Sequence, residues 1–131
     1  MREQTEADAG LQPSVQTPGD LEYAQALLDV VVDRQGADVV LMDLTSLAVF
    51  ADYFVIATVD NIRQARAVED ALGEAAAARG HRTRVEGEPD EGWILIDAGE
   101  GIFVHLLSLE SRVYYDLEGL WHRAQEIVRV Q

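Results

Sequence analysis

Residues 51–64 of the chain read ADYFVIATVDNIRQ, and the rest of the fold is arranged around this stretch. Residues 53–56, YFVI, are aromatic or β-branched, which is typical of a buried strand. Asn61 follows a polar turn and can cap a helix with its side-chain oxygen, while Gln64 can reach back to the amide of Asn61. The stretch therefore predicts a strand, a tight turn and a helix, a junction at which α/β folds often carry function.

Two amphipathic helices are predicted on either side of this strand. Asp20 is a good N-cap, and apolar residues recur at helical spacing from Leu21 up to Gly36, a natural stop. The second helix runs from Asn61 to about Arg79 and is closed by Gly80. Its alanine-rich second half favours helix and allows close packing on a sheet.

Four further segments are predicted as strands. Residues 39–44 form a continuous apolar run, and residues 82–86 alternate weakly, as an edge strand does. Residues 93–97 and 102–107 flank the turn sequence AGEG at 98–101, which predicts a hairpin. Pairing across this four-residue turn assigns two faces by alternation: Trp93, Leu95, Asp97, Ile102, Val104 and Leu106 on one, and Ile94, Ile96, Phe103, His105 and Leu107 on the other.

The order of elements predicts an α/β fold in which a mixed β-sheet of about five strands carries two long helices on one face. A terminal hairpin combined with crossovers cannot give an all-parallel sheet. Short C-terminal helices are expected after Ser108 or Ser111. The predicted organisation is a flexible acidic tail over residues 1–19, one domain over 20–126 and a frayed C-terminal tail over 127–131.

Composition narrows the class of protein. The 131 residues are 48% hydrophobic, contain no cysteine and carry a net charge of −14, so one globular domain without disulfides or thiolate chemistry is expected. Direct binding of nucleic acid is disfavoured, because affinity there comes largely from neutralising phosphates. A basic protein surface would be attracted instead, and solubility alone explains the acidity equally well. No apolar run is long enough to span a bilayer, and the acidic N-terminus does not resemble a signal peptide, so a cytoplasmic location is expected.

Three segments together resemble the ribosomal silencing factor family, also called RsfS or Iojap. The first is residues 52–64, similar to the family core DYFVIA-x-x-x-S-x-RQ, although Val59-Asp60-Asn61-Ile62 stands where the family usually has a Gly-Asn-Ser-like turn. The second is Glu86-Gly87 followed by WILID at 93–97, and the third is Val104-His105 leading to Arg112, Tyr115, Leu117, Glu118, Leu120 and Trp121. The resemblance spans residues 21–124 and implies a nucleotidyltransferase-like mixed sheet.

The resemblance also implies a function. A family member is expected to bind the large ribosomal subunit through its ribosomal protein uL14, to block joining of the small subunit and to repress translation under nutrient limitation. The partner-binding residues expected from family matching and residue type are Trp93, Asp97, His105, Glu110, Arg112, Tyr115 and Glu118. The predicted alternation places His105 on the face opposite Trp93 and Asp97, so either some of these residues are misassigned or the sheet edge makes the contact. Open strand edges also make a homodimer plausible.

The alternative is a metal-dependent nucleotidyltransferase-like enzyme. Such an enzyme needs a Gly-Ser turn for phosphate and closely spaced carboxylates for Mg²⁺, and the chain shows neither. The three histidines lack metal-ligand spacing, and the serines lack a nucleophile-elbow context. The sequence therefore predicts a non-enzyme without a cofactor, with an acidic module for some other basic protein as a third option.

Overall fold

The computed structural model describes residues 20–47 and 49–131. This part of the chain forms four helices and six strands, with single 3₁₀ turns at Thr45–Leu47 and Pro89–Glu91. In chain order the elements are α1 (Leu21–Asp33), β1 (Ala37–Asp43), β2 (Tyr53–Thr58), α2 (Ile62–Ala78), β3 (Arg84–Glu86), β4 (Trp93–Asp97), β5 (Ile102–Leu107), α3 (Leu109–Tyr115), α4 (Leu117–Leu120) and β6 (Gln125–Val130). The predicted acidic tail over residues 1–19 lies outside the described residues.

The six strands form one mixed sheet in the order β3-β4-β5-β2-β1-β6. Strands β2 and β5 run parallel, and each of the other neighbouring pairs is antiparallel. This confirms the predicted mixed α/β class, with one strand more than expected. The strand predicted from YFVI lies in the middle of the sheet, and all six residues of β2 are buried.

Helices α1 and α2 begin where the sequence predicts. Asp20 accepts hydrogen bonds from the amides of Glu22 and Tyr23 at 2.8 and 3.3 Å, and Asn61 accepts from Gln64 N at 2.8 Å. The Gln64 side chain reaches the amide of Asp60 at 2.6 Å instead of the predicted amide of Asn61. Its Nε2 donates to the carbonyls that follow α1, so this glutamine also ties the two helices together.

Both long helices cover the same side of the sheet, here called the helix face. Leu27 and Val31 of α1 and Val68 and Leu72 of α2 are fully buried against it. Gly36 follows α1 where a Cβ atom would lie 2.5 Å from Val31 Cγ1, so glycine is required there by close packing. The opposite side of the sheet, here called the aromatic face, carries Phe54, Trp93, Phe103 and His105 and is only partly covered by the C-terminal segments.

The predicted alternation in the hairpin was wrong by one residue. Asp97 pairs with Phe103 and Trp93 pairs with Leu107, so five residues, not four, separate the last paired positions. The extra residue is Ile102, whose backbone closes the turn through hydrogen bonds to Ala98 and Gly99. Because a slip of one residue moves every side chain to the other face, Trp93, Leu95 and Asp97 share a face with Phe103, His105 and Leu107.

The C-terminal end of the chain also differs from the prediction. Residues 127–131 were expected to fray, but β6 pairs with β1, and Ile127, Val128 and Val130 pack against the core. Because β1 is distant in the sequence, the residues of this segment carry no local signal that they pair with it. The predicted short C-terminal helices are present as α3 and α4, and Ser108 caps α3 by accepting from Ser111 N at 3.1 Å.

Candidate functional site: an aromatic surface beside α3

The aromatic face is built from rings on three adjacent strands. Phe54 of β2 lies 6.4 Å from Phe103 and 4.5 Å from His105, both on β5, measured between ring centroids. Trp93 of β4 lies 6.0 Å from His105. The sequence places these rings together because β2, β5 and β4 are neighbours and each ring points to the same side of the sheet.

His105 supports Trp93 from beneath. The indole Nε1–H of Trp93 donates to His105 Nδ1 at 3.2 Å, which leaves the hydrogen of the neutral ring on Nε2. That Nε2 is buried and has no hydrogen-bond partner among the described residues. Burial lowers the pKa of His105 to about 4, so the ring is neutral at physiological pH.

Helix α3 brings two tyrosines to the same place. The Tyr115 ring lies 4.7 Å from that of Trp93, and Tyr114 packs edge-on against Tyr115 at 4.9 Å. Tyr114 is 78% exposed and Tyr115 is 48% exposed. Trp93, Leu95, Tyr114 and Tyr115 form what is here called the Trp93 surface. A groove of about 400 Å³ runs along it and is lined by Glu86, Gly87, Glu91, Trp93, Leu95 and Tyr115.

The groove is shaped by a glycine and edged by acids. Gly87 has a φ of +90°, and a Cβ atom there would lie 2.5 Å from the carbonyl oxygen of Trp93. Glycine is therefore needed to bring the turn after β3 against the start of β4. Glu86 and Glu91 line the groove, and Glu110 is exposed on α3. The arrangement is an apolar centre with a negatively charged rim, the composition of many protein interfaces.

Arg112 and Glu118, two of the seven predicted partner-binding residues, form hydrogen bonds and ion pairs within the protein. Arg112 is only 8% exposed and donates to Thr58 Oγ1 at 3.0 Å and to the Asp38 carbonyl at 2.6 Å. Its Nε and Nη2 bind the two carboxylate oxygens of Glu118, both at 3.1 Å. Arg129 of β6 adds a 2.9 Å contact to Glu118, and these ion pairs lower the pKa of that carboxyl. This network joins α3 and α4 to strands β1, β2 and β6.

The structure brings together some of the predicted residues and separates others. Trp93, His105 and Tyr115 form one cluster, with Glu110 on the same short helix as Tyr115. Asp97 shares the face of Trp93 but lies four residues further along β4, about 13 Å away for an extended strand. There its carboxylate accepts from Gly99 N at 3.0 Å and caps the hairpin turn.

Several exposed apolar side chains were not among the predicted site residues. Tyr114, Leu109 and Val113 of α3 are 78%, 69% and 73% exposed, and Phe50 is 70% exposed beside Phe103. The sequence LESRVYY of α3 did contain a signal. It has more apolar and aromatic residues than fit on one buried face of a seven-residue helix, so some of them must be exposed. Phe50 carried no such signal because it lies in an irregular connection.

The described residues contain neither a metal-binding cluster nor a helix that could span a membrane. In residues 20–47 and 49–131 no group of three or more His, Asp or Glu side chains is placed to hold a metal ion. Within the same ranges no helix has the length and apolar character needed to cross a bilayer. A smaller cavity of about 210 Å³ lies at the start of α2 beside Asn61, Gly92 and Ser108.

The fold and this surface define a class: a small mixed α/β domain with an exposed, acid-rimmed aromatic patch of the kind found at protein interfaces. A sequence model of one family, described as "Ribosomal silencing factor during starvation", matches residues 17–131. The chain belongs to this family, the ribosomal silencing factors, which confirms the resemblance seen in its sequence.

Individual relatives agree with this assignment. The chain is 36% identical over 108 residues to the ribosomal silencing factor RsfS of Zymomonas mobilis, covering 81% of this chain and 80% of the relative. It is 28% identical to the mouse mitochondrial assembly of ribosomal large subunit protein 1, covering 91% of this chain and 54% of that protein. A crystal structure of a Chromobacterium violaceum protein superposes with a TM-score of 0.71 at 28% identity, over 78% of this chain and 85% of the other.

Proposed function

We propose that this protein binds the large ribosomal subunit through ribosomal protein uL14, blocks joining of the small subunit and thereby represses translation when nutrients are limiting. The single observation that carries the docking site is the Trp93 surface, an exposed aromatic patch with an acidic rim on a chain of net charge −14. Membership of the ribosomal silencing factor family supports the ribosome as the target. Ribosomal proteins are mostly basic, so the charges are complementary.

The proposed action requires no catalysis. A protein that occupies the joining surface of free large subunits removes them from the association equilibrium by mass action. The effect then depends on the concentration of the protein relative to its Kd for the subunit. We place this action in the cytoplasm.

Within the proposed interface the predicted residues take different roles. Trp93 and Tyr115 are the aromatic anchors, and Glu110 lies on the charged rim with Glu86 and Glu91. His105 fixes the indole of Trp93 through its hydrogen bond and acts as a positioning residue. Arg112 and Glu118 hold α3 in place, and Asp97 extends the contact toward the hairpin end of the same face.

We also propose a homodimer formed through a sheet edge. Among residues 20–47 and 49–131, strand β6 pairs with β1 alone, so its other side presents backbone donors and acceptors at the end of the sheet. Two copies can pair such edges antiparallel about a two-fold axis. Light scattering from 1 to 100 µM is expected to show the mass rising toward that of a dimer. A constant monomer mass over this range would reject the dimer. If the wild type does form a dimer, an unchanged mass for Val128→Pro would show that β6 is not the interface.

The test of the silencing function is sedimentation of the purified protein with separated ribosomal subunits through a sucrose gradient. Co-migration with the large subunit and a loss of joined ribosomes are expected when the protein is in excess. A Trp93→Ala variant should remain with the unbound fraction, whereas Leu21→Ala, at a 38% exposed site at the start of α1, should co-migrate like the wild type. Absence of co-migration at low salt, or full subunit joining despite binding, would refute the proposal.

A further inference from the structure

A second concave surface lies on the other side of α3 from Tyr115. This α3 groove has a volume of about 620 Å³, and the residues that matter for its chemistry are Thr58, Asp60, Leu109, Arg112, Val113 and Asp116. Leu109 and Val113 are one helical turn apart and form an apolar wall that is 69% and 73% exposed. Since these side chains bury little surface within the fold, they leave apolar area for a partner.

Arg112, the one cationic side chain among the described residues that line this groove, is already paired with acidic groups. Its guanidinium is buried, donates to Thr58 Oγ1 and forms an ion pair with Glu118. Asp38, at the far end of the groove, forms an ion pair with Arg129 at 2.6 Å. The groove therefore offers no unpaired positive charge to an anionic ligand.

Two carboxylates remain at its rim. Asp60 and Asp116 form no ion pair with any residue in the part of the chain that the structure describes. Asp116 Oδ1 accepts from the amide of Gly119 at 3.1 Å, which fixes this carboxylate at the end of α3. The groove thus combines an apolar wall with two carboxylates that no ion pair among the described residues compensates.

We propose that the α3 groove binds a basic peptide segment of a partner protein. An apolar side chain of the segment packs on Leu109 and Val113, and flanking Lys or Arg side chains pair with Asp60 and Asp116. Charge complementarity selects this occupant. A nucleic acid would present its phosphates to the acidic rim and is therefore repelled.

This surface is separate from the Trp93 surface, because α3 stands between them. Tyr115 lines one groove, while Leu109 and Val113 line the other. A partner that presents a folded domain to the Trp93 surface can therefore place a basic extension across α3. The proposal stands without the ribosomal function, and the two can fail separately.

The probe is a fluorescent six-residue peptide with two leucines set among four lysines, titrated at low salt against the full chain labelled with ¹⁵N. Binding is expected to shift the amide signals of Thr58, Leu109 and Val113 and to leave the indole signal of Trp93 unchanged. Val113→Ser and Asp60→Asn are each expected to weaken binding at least about fivefold. The matched controls, Leu120→Ser at a site 67% exposed and Asp70→Asn on α2, should bind as the wild type does.

The proposal would be overturned by the absence of binding at low salt, by equal binding of a peptide with glutamates in place of the lysines, or by unchanged affinity in both groove variants. Shifts centred on the Trp93 indole would also overturn it, since the peptide would then occupy the other surface. Amide spectra of each variant establish that it is folded, and the exposed positions make unfolding an unexpected outcome.

Discussion

The two faces of the sheet are made by the same strands but have different chemistry. On the helix face, Val55 of β2 and Val104 of β5 lie side by side under α1 and α2 with no exposed surface. On the aromatic face, the neighbouring pair Ile56 and His105 is also buried. His105 Nε2 nevertheless finds no hydrogen-bond partner in the described part of the chain, and the rings around His105 reach solvent. Helices α1 and α2 cover the helix face, whereas the aromatic face keeps aromatic side chains that are exposed to solvent.

The largest expected effect comes from the helix face. Leu27→Ala, at a fully buried site of α1, should lower the free energy of unfolding by about 3 kcal/mol, because the cavity it leaves cannot collapse completely. Leu109→Ala, at a 69% exposed site, should change it by less than about 0.5 kcal/mol. Urea denaturation followed by circular dichroism measures both. Equal costs would mean that α3 is packed as tightly as the helix face.

The second effect tests the buried histidine on the aromatic face. The pKa of His105 is lowered to about 4 in the folded protein and is about 6.5 when unfolded. The unfolded state therefore binds more protons between these values, and stability falls as the pH is lowered from 6.5 to 4. The titration of His105 is expected to lower the free energy of unfolding by about 2 kcal/mol at pH 5 relative to pH 8.

The control for this effect is His105→Gln, which can still accept from Trp93 Nε1 but does not titrate. Urea midpoints from pH 8 to 4 should fall less steeply for the variant than for the wild type. Other titrating groups contribute to both curves, so the difference between them isolates His105. Parallel curves would show that His105 is solvated or paired in the folded state.

The two faces also differ in how far the sequence predicted them. The helix face follows from periodicity, since apolar spacing in α1 and α2 and the capping side chains of Asp20 and Asn61 are local signals. The aromatic face depends on the register of the hairpin, and one extra residue at Ile102 in the turn reversed the predicted sides. Register is a property of two strands together, so the composition of the AGEG turn alone could not decide it.

The candidate site was likewise only partly predictable from the sequence. Trp93 and Tyr115 were predicted from residue type and family matching, and the structure brings their rings into contact. The burial of Arg112 was not predictable, because its partners Thr58 and Asp38 lie 54 and 74 residues away in the sequence. An arginine on a short amphipathic helix suggests a solvated charge unless the strands behind it are known.

A smaller effect is expected when two exposed apolar residues on different faces of the sheet are compared. Tyr115 of the Trp93 surface is 48% exposed, and Leu21 at the start of α1, on the side of the helix face, is 38% exposed. Tyr115→Ala should weaken binding to the large subunit about tenfold, the usual cost of truncating an aromatic anchor. Leu21→Ala should leave it unchanged. Pelleting assays with fluorescent protein measure both, and equal affinities would place the docking site elsewhere.

The smallest effect concerns the charges around the two faces. Raising the salt concentration from 50 to 300 mM should weaken binding to the large subunit by about threefold, because exposed charges are screened over a shorter distance. The double variant Glu91→Gln, Glu110→Gln removes two charges beside the Trp93 surface and should reduce both the affinity at low salt and the dependence on salt. Asp29→Asn with Asp33→Asn removes the same charge from α1, on the opposite side. If both double variants lose the same amount, the attraction comes from the net charge of −14 as a whole. If only the first does, the acidic rim of the groove directs the encounter.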